Sequence, residues 1–358
     1  MESILWAGLI ALIVTIVGTR PFISFLQRRH FGQPEREDGV SSHLAKRGTP
    51  TMGGIVIIAA VLVAYAGAHL ISRQPPSISA LLVLSVLVAT GALGFFDDWA
   101  KINQQQSGGM RPRVKLIGQI IIGGTFGLLA LNFPNPHGVT AASQSVSFIR
   151  DIDWPLLRLP LVVAIIWMTF LITSFSNAVN LTDGVDGLAT GCSAMVFAAY
   201  GMINVWQRSQ WCGWELATQP TCYEARNPYD LALVSIALAA ACFGFLWWNA
   251  KPARIILGDT GSLSMGATMG ALAICTRTEL LLPILGALFV VETLSVALQV
   301  GWFKLSKGKR IFKMAPLHHH FEMLGWEEQT VAVRFWVLCG IAVAVGFGLF
   351  YAEWVLST

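Results

Sequence analysis

Two carboxylates, two carboxamides and a hydroxyl are concentrated in one short stretch of the chain, residues 177–188, which reads NAVNLTDGVDGL. The stretch joins two long apolar runs, where polar groups are costly to desolvate unless they bind a ligand or one another. Helical spacing would place Asn177 with Asn180, and Asp183 with Asp186, on shared faces. The pattern predicts a site for a metal ion or a phosphorylated ligand. Mutual capping before the next helix is the simpler alternative.

Two further acidic clusters stand at the ends of other apolar runs. Asp97 and Asp98 end the third run, and Asp259 lies between glycines just before the eighth. Adjacent carboxylates repel each other unless a cation or a proton intervenes, and Mg²⁺ bound to phosphate oxygens is a natural partner. Lys101 follows the pair on the same helical side, so an internal ion pair at a helix end is the alternative. Asp259 is equally interpreted as an N-cap or as a metal ligand.

Cations, hydroxyls and histidines occur in other connecting segments. Residues 46–54, KRGTPTMGG, combine Lys46 and Thr51 with glycines, which suits a phosphate cradle or simply a loop that ends before a helix. Residues 110–116, MRPRVKL, hold cations that would attract an anionic nucleotide or only enforce topology. Residues 316–322 read PLHHHFE, and three successive histidines cannot all face one way in a helix. At most two of them are expected to share a site.

The elements that must position these groups are membrane helices. The chain has 358 residues, of which 54% are hydrophobic and only 12% charged, whereas soluble domains carry roughly 25% charged residues. Apolar runs of about 20 residues, long enough to cross a bilayer, lie near 3–25, 52–71, 78–96, 116–132, 157–176, 187–204, 231–248, 258–275, 280–302 and 331–354. The composition therefore predicts an all-α polytopic membrane protein with about ten transmembrane helices in a single domain, residues 1–358. The first run is interpreted as a membrane helix rather than a cleaved signal.

The distribution of Lys and Arg predicts the orientation. Loops after the odd-numbered runs hold 16 of these residues, and loops after the even-numbered runs hold 5. By the positive-inside rule the odd-numbered loops face the cytoplasm, and both termini are periplasmic. All the polar clusters described above then gather at the cytoplasmic face, where an active-site cleft is expected. Cys212 and Cys222 fall in one outer loop, where they can pair in an oxidising compartment.

The ordered set of motifs resembles a known family. The segment 46–54, the Asp97-Asp98 pair, residues 177–188, residues 258–262 (GDTGS) and residues 316–322 are together similar to bacterial phospho-N-acetylmuramoyl-pentapeptide transferases, a branch of the polyprenyl-phosphate N-acetylhexosamine-1-phosphate transferase superfamily. The acidic motifs are shared across the superfamily, and the histidine segment is more specific to this branch. The resemblance covers essentially the whole chain.

The resemblance implies a Mg²⁺-dependent enzyme of the bacterial cytoplasmic (inner) membrane. It would transfer phospho-MurNAc-pentapeptide from UDP-MurNAc-pentapeptide to undecaprenyl phosphate, giving lipid I and UMP. Its partners would be these two substrates and membrane lipid, with a homodimer as an option and no nucleic acid polymer. Asp259, Asp97 and Asp98 would form the catalytic metal site. The remaining residues would contact substrate: Lys46, Thr51, Lys115, Asn177, Asn180, Asp183, Asp186, Asn249, His318, His319 and His320.

Two other functions remain open at the level of sequence. A sister enzyme that transfers N-acetylglucosamine-1-phosphate would use the same acidic motifs. A secondary transporter for anionic solutes would hold its site near the membrane midplane and would show internal repeats, which this sequence lacks. Glu292 near the middle of the ninth run is either a functional carboxylate or a structural hydrogen-bonding group.

Overall fold

The computed structural model describes residues 1–29, 31, 48–104, 109–135, 138–212 and 222–357. Within these ranges the fold is all-α, with isolated β-bridges and no sheet. The helices are α1 (Glu2–Arg28), α2 (Gly54–Ser72), α3 (Ile78–Gln104), α4 (Pro112–Asn132), α5 (Leu161–Thr182), α6 (Leu188–Ser209), α7 (Pro228–Asn249), α8 (Gly258–Cys275), α9 (Leu282–Leu285), α10 (Ala287–Leu305), α11 (Leu317–Glu322) and α12 (Glu328–Ser357).

Nine helices in the described part of the chain are long and apolar enough to cross a membrane, namely α1 to α7, α10 and α12. The all-α membrane fold expected from composition is therefore confirmed, and the positions of both termini stay a prediction. The eighth predicted span corresponds to α8, which falls short in hydropathy. The ninth predicted span, 280–302, is wrong as one continuous helix, because the chain breaks at Gly286 between α9 and α10.

Helix α8 is the centre of the bundle, and each of its residues is buried. It packs mainly against α3 and α5. Small residues allow this approach: a Cβ built on Gly94 of α3 would lie 2.2 Å from the carbonyl oxygen of Asp259. Since Gly94 is one helical turn before Asp97 and Asp98, the close approach brings the acidic end of α3 against the start of α8.

A short backbone pairing holds the segment before α2 against the segment before α8. Gly53 N–H donates to the Ile256 carbonyl at 2.9 Å, and Ile256 N–H donates to the Pro50 carbonyl at 2.8 Å. The pairing satisfies backbone groups that would otherwise be buried without partners. It also brings Thr51 next to the first turn of α8.

Several polar contacts lie at the other end of the bundle. Cys212 and Cys222 form a disulfide, which confirms the predicted pairing. Asp230 at the start of α7 accepts a hydrogen bond from Tyr65 at 2.8 Å and lies 2.9 Å from His69 Nε2. Glu279, between α8 and α9, accepts hydrogen bonds at 3.1 Å from the Ser147 N–H and the Trp167 indole. Burial raises the pKa of Glu279 to about 7.

Candidate functional site

Three buried carboxylates from two distant helices meet at one end of the bundle. Asp97 and Asp98 come from the last turns of α3 and Asp259 from the first turn of α8, and one oxygen of each lies within 4.8 Å of the others. Within the described ranges this is the only group of three acidic, histidine or cysteine side chains arranged closely enough to hold a metal ion. Oxygen ligands of this kind suit Mg²⁺.

Two lysines neutralise most of this charge. Lys101 Nζ lies 2.7 Å from Asp97 Oδ2 and 3.0 Å from Asp259 Oδ1. Lys115 Nζ lies 3.1 Å from Asp97 Oδ2 and 2.5 Å from Asp259 Oδ2. Three carboxylates and two ammonium groups leave one net negative charge. The cluster has therefore both the oxygen ligands and the charge to accept a divalent cation in place of, or beside, the ammonium groups.

Asp98 is hydrogen-bonded to the backbone at the start of α8, whereas its neighbour Asp97 is not. Its carboxylate accepts hydrogen bonds from the Asp259 N–H at 3.1 Å, the Thr260 N–H at 3.0 Å and the Thr260 hydroxyl at 2.8 Å. No side chain local to α8 caps this helix, so Asp98 supplies from α3 the acceptor that a helix N-terminus needs. Asp97 instead faces the lysines and accepts a hydrogen bond from the Met110 N–H at 2.8 Å. The adjacent acids thus have different surroundings.

The stretch 177–188 forms the end of α5, a turn, and the start of α6. Asn177 donates to Gln119 on α4 at 2.9 Å. Asn180 accepts a hydrogen bond at 3.3 Å from Ser262, which lies one turn after Asp259 on α8. Asp183 ends α5, and its backbone N–H donates to the Asn180 carbonyl. The last turn of α5, at Asn180, therefore contacts the start of α8.

Asp186 and Asn249 connect segments from different parts of the chain. The Asp186 carboxylate accepts a hydrogen bond at 3.2 Å from the Ala253 N–H, and its own N–H donates to Glu328 at 3.0 Å. Glu328 is also ion-paired with Lys251. Asn249 is 2% exposed, accepts from the Thr190 hydroxyl at 2.8 Å, and donates to the Ile255 carbonyl at 3.0 Å. Contact of either side chain with substrate stays a prediction.

The histidine segment forms the short helix α11. His318 and His319 are buried with ring centroids 4.1 Å apart, whereas His320 turns toward Phe312 and accepts a hydrogen bond from the Lys313 N–H at 3.1 Å. His318 and His319 thus lie together and His320 lies apart from them, and contact of any of them with substrate stays a prediction. Burial lowers the pKa of His319. Burial alone would raise the pKa of Glu322, but the hydrogen bond from His319 and the charges of the two neighbouring histidines together lower it.

The remaining predicted residues divide into three cases. Thr51 is 5% exposed, and its hydroxyl lies with Asp98 against Gly258. Lys115, expected to contact substrate, contacts the carboxylates instead in this structure. Lys46 lies outside the described residues. Lys101 was expected only as an ion-pair partner of α3, and its contact with Asp259 had no signal in the sequence.

Comparisons with known proteins identify the family of this chain. The family model of glycosyl transferase family 4 matches residues 79–277, and a phospho-N-acetylmuramoyl-pentapeptide-transferase signature matches residues 46–58. The chain is 56% identical to the phospho-N-acetylmuramoyl-pentapeptide-transferase of Cutibacterium acnes, over 99% of both chains. The chain belongs to the phospho-N-acetylmuramoyl-pentapeptide-transferase family. Members from Nocardioides sp. and Streptomyces avermitilis are 54% and 51% identical to it, each over 99% of both chains.

Membership in this transferase family makes the chain an enzyme and a multi-pass protein of the bacterial inner membrane. The two matched regions cover most of the site. The signature includes Thr51, and the glycosyl transferase family 4 region includes all three clustered carboxylates and both lysines. The histidines of α11 lie beyond both matched regions, but within the span shared with the full-length relatives.

Proposed function

We propose that this transferase moves phospho-MurNAc-pentapeptide from UDP-MurNAc-pentapeptide to undecaprenyl phosphate, which forms lipid I and releases UMP. The observation that carries the proposal is the cluster of Asp97, Asp98 and Asp259 with two lysines at one end of a membrane bundle. Such a site can handle the phosphates of a soluble nucleotide and of a lipid at the same membrane face. The names of the full-length relatives support the muramoyl-pentapeptide as the transferred group.

The proposed reaction is a direct displacement at phosphorus. An oxygen of the lipid phosphate bonds to the sugar-linked phosphorus, and the bond from that phosphorus to the oxygen of UMP breaks. A phosphate monoester has a second pKa of about 6, so the lipid phosphate is largely dianionic at neutral pH. The attack therefore needs no strong base. A phosphosugar trapped covalently on Asp97 or Asp98 would contradict direct displacement.

Asp97 and Asp259 are the residues proposed to hold Mg²⁺. Their oxygens face the lysines, whereas both oxygens of Asp98 accept hydrogen bonds from the start of α8. The net negative charge of the cluster would repel a diphosphate, and a divalent cation would reverse that sign. When bound, Mg²⁺ would neutralise negative charge on phosphate oxygens and help to align them.

The other residues of the site bind and orient the substrates in this proposal. Lys101 and Lys115 are placed to donate to phosphate oxygens once a metal takes over their carboxylate contacts. Asn180 and the turn at Asp183 and Asp186 would bind the nucleotide and its diphosphate. Thr51, Asn177, Asn249 and the histidines of α11 complete the proposed contacts, together with Lys46. Because the site lies at one end of a membrane bundle, the lipid acceptor would be able to reach it without leaving the membrane.

Replacing Asp259 tests the proposal. Asp259→Ala should abolish Mg²⁺-dependent release of UMP in detergent, because it removes one metal ligand and the partner of both lysines. Asp153→Ala is a matched control, since Asp153 is an exposed carboxylate on the segment before α5. Asp153→Ala should keep wild-type activity. Activity retained by Asp259→Ala would refute its assignment.

The identity of the donor needs a separate assay. Purified enzyme is supplied with undecaprenyl phosphate, Mg²⁺ and either UDP-MurNAc-pentapeptide or UDP-N-acetylglucosamine, and the lipid product is identified by mass spectrometry. Product from the muramoyl donor alone supports the proposal. Product from UDP-N-acetylglucosamine alone would reassign the chain to the sister activity.

A further inference from the structure

The carboxylate of Glu292 on α10 is fully buried, and among the described residues His318 is the one side chain that pairs with it. Its Oε2 lies 3.2 Å from Nδ1 of His318, and its Oε1 accepts the His318 backbone N–H at 3.2 Å. Both side chains have 0% exposure. Within the described residues Glu292 has no ion pair with a lysine or an arginine. A buried carboxylate is strongly disfavoured without a counter-charge, and His318 is the side chain placed to supply one.

The other ring nitrogen of His318 points toward the catalytic end of α5. Nε2 has no hydrogen-bond partner in the part of the chain that the structure describes. A Cβ built on Gly184 would lie 2.3 Å from this nitrogen, so only glycine leaves room for it beside Asp183. In an imidazolium whose Nδ1–H is bonded to Glu292, Nε2 carries a second proton. A buried N–H donor in this position needs an acceptor, and a phosphate oxygen can be one.

His319 has a similar arrangement one residue later. Its Nδ1 lies 2.6 Å from Glu322, and its Nε2 lies 3.2 Å from the same point at Gly184. Two adjacent imidazolium groups repel each other, so only one of the two rings carries charge readily. Burial lowers the pKa of His319, and Glu292 is the carboxylate that faces His318. The ionisable groups around this pair in the described residues are Glu292 on α10, Glu322 on α11 and Glu328 at the start of α12, with Asp183 next to Gly184. Glu328 is in turn ion-paired with Lys251, after α7, and accepts the Asp186 N–H.

We propose that Glu292 is a positioning residue, which holds His318 as a cation with its Nε2–H presented to a phosphate oxygen beside the turn at Asp183 and Gly184. The proposal rests on the proposed function, in which that oxygen belongs to the diphosphate of the nucleotide-sugar. Glu292 touches no reacting atom and acts through the imidazole. The buried carboxylate in the membrane thus has a role in binding as well as in packing.

Glu292→Gln tests the proposal through the pH dependence of activity. The amide keeps the shape and a hydrogen bond but removes the negative charge, so the imidazolium loses its proton at lower pH. Above that pH the kcat/KM of Glu292→Gln should fall about tenfold per pH unit relative to that of wild type. Lowering the pH should restore activity to the variant. A profile parallel to that of wild type would overturn the proposal.

A matched control separates charge from loss of folding. Asp230 is a second buried carboxylate paired with a histidine, and it lies at the opposite end of the bundle. Asp230→Asn should leave the pH profile of kcat/KM unchanged, even if it lowers the melting temperature. In a His318→Gln background, adding Glu292→Gln should change kcat/KM no further. A further loss in that background would show that Glu292 acts other than through His318.

A binding measurement distinguishes this proposal from the proposed function. Enzyme with ¹⁵N-labelled histidine is titrated with inorganic pyrophosphate and Mg²⁺, and the His318 Nε2–H resonance is assigned by its loss in His318→Gln. The wild-type resonance should move, and the same titration of Glu292→Gln should move it less. If the resonance moves but the enzyme makes no lipid I, the proposed function is refuted and the role of His318 is not. Synthesis by wild type with no movement of this resonance would refute the role of His318.

Discussion

Replacing Asp98 by asparagine should weaken the attachment of α8 to α3. Asp98 accepts three hydrogen bonds from the first turn of α8, two of them from backbone N–H groups. Asparagine keeps one acceptor oxygen but presents an NH₂ group in place of the other. The Thr260 N–H, which is bonded to Oδ2 at 3.0 Å, then loses its acceptor.

The size of the effect follows from these contacts. A buried N–H left without an acceptor costs about 1–3 kcal/mol. The loss of a negative charge at a helix N-terminus adds about 0.3–1 kcal/mol. We therefore expect Asp98→Asn to reduce the free energy of unfolding by about 1–4 kcal/mol. Thr260→Val removes only the hydroxyl bond and should cost about 1 kcal/mol.

Thermal unfolding in detergent, with UMP release measured on the same preparations, checks this prediction. Asp98→Asn should melt clearly below wild type, with Thr260→Val between the two. The loss of activity should accompany the displacement of Asp259, which lies next to the broken contact. If Asp98→Asn melts like wild type yet has no activity, then Asp98 acts directly in the chemistry and its role as a cap is refuted.

Three further predictions concern single side chains. Lys101→Met should tighten Mg²⁺ binding about tenfold (~1.4 kcal/mol), because it removes an ammonium group that competes for Asp97 and Asp259; weaker binding in a metal titration would contradict this. Gly184→Ala should raise the KM for the nucleotide-sugar, because the methyl group would lie 2.3 Å from His318 Nε2, and steady-state kinetics with an unchanged KM would refute it. Glu279 has a pKa of about 7 when folded, against 4.5 ordinarily. The protonated carboxyl of Glu279 therefore stabilises the fold at low pH. Its contribution to the free energy of unfolding, about 3 kcal/mol, is fully present below pH 4.5 and is lost as the pH rises through 7. Glu279→Gln should remove this dependence of the melting temperature on pH, and an unchanged dependence would contradict the assignment.

The sequence predicted the membrane class because apolar runs of membrane length are a local property. The same reasoning failed to resolve the break at Gly286, since one glycine in an apolar run gives no sign of whether a helix continues. Helix α8 shows a different difficulty. Its threonines, serines and glycines lower its hydropathy, and only the contacts with α3 and α5 explain why such a helix is fully buried.

The candidate site shows a similar division. Grouping Asp97, Asp98 and Asp259 required only that the ends of two runs share one side of the membrane. The different surroundings of Asp97 and Asp98 could not be predicted, because they depend on the position of Thr260 in space. Likewise, the contact of Glu292 with His318 joins residues that the sequence separates by a loop with no regular pattern.

The burial of α8 has a consequence for the biogenesis of the protein. A nascent helix leaves the translocon for lipid when its own partition free energy is favourable. Helix α8 lacks the hydropathy for this and carries Asp259 in its first turn. It must therefore insert together with α3 and α5, which are synthesised earlier and offer it a small-residue surface. Assembly of the bundle then includes a step between helices, and deleting α3 would leave α8 without one of its two main packing partners.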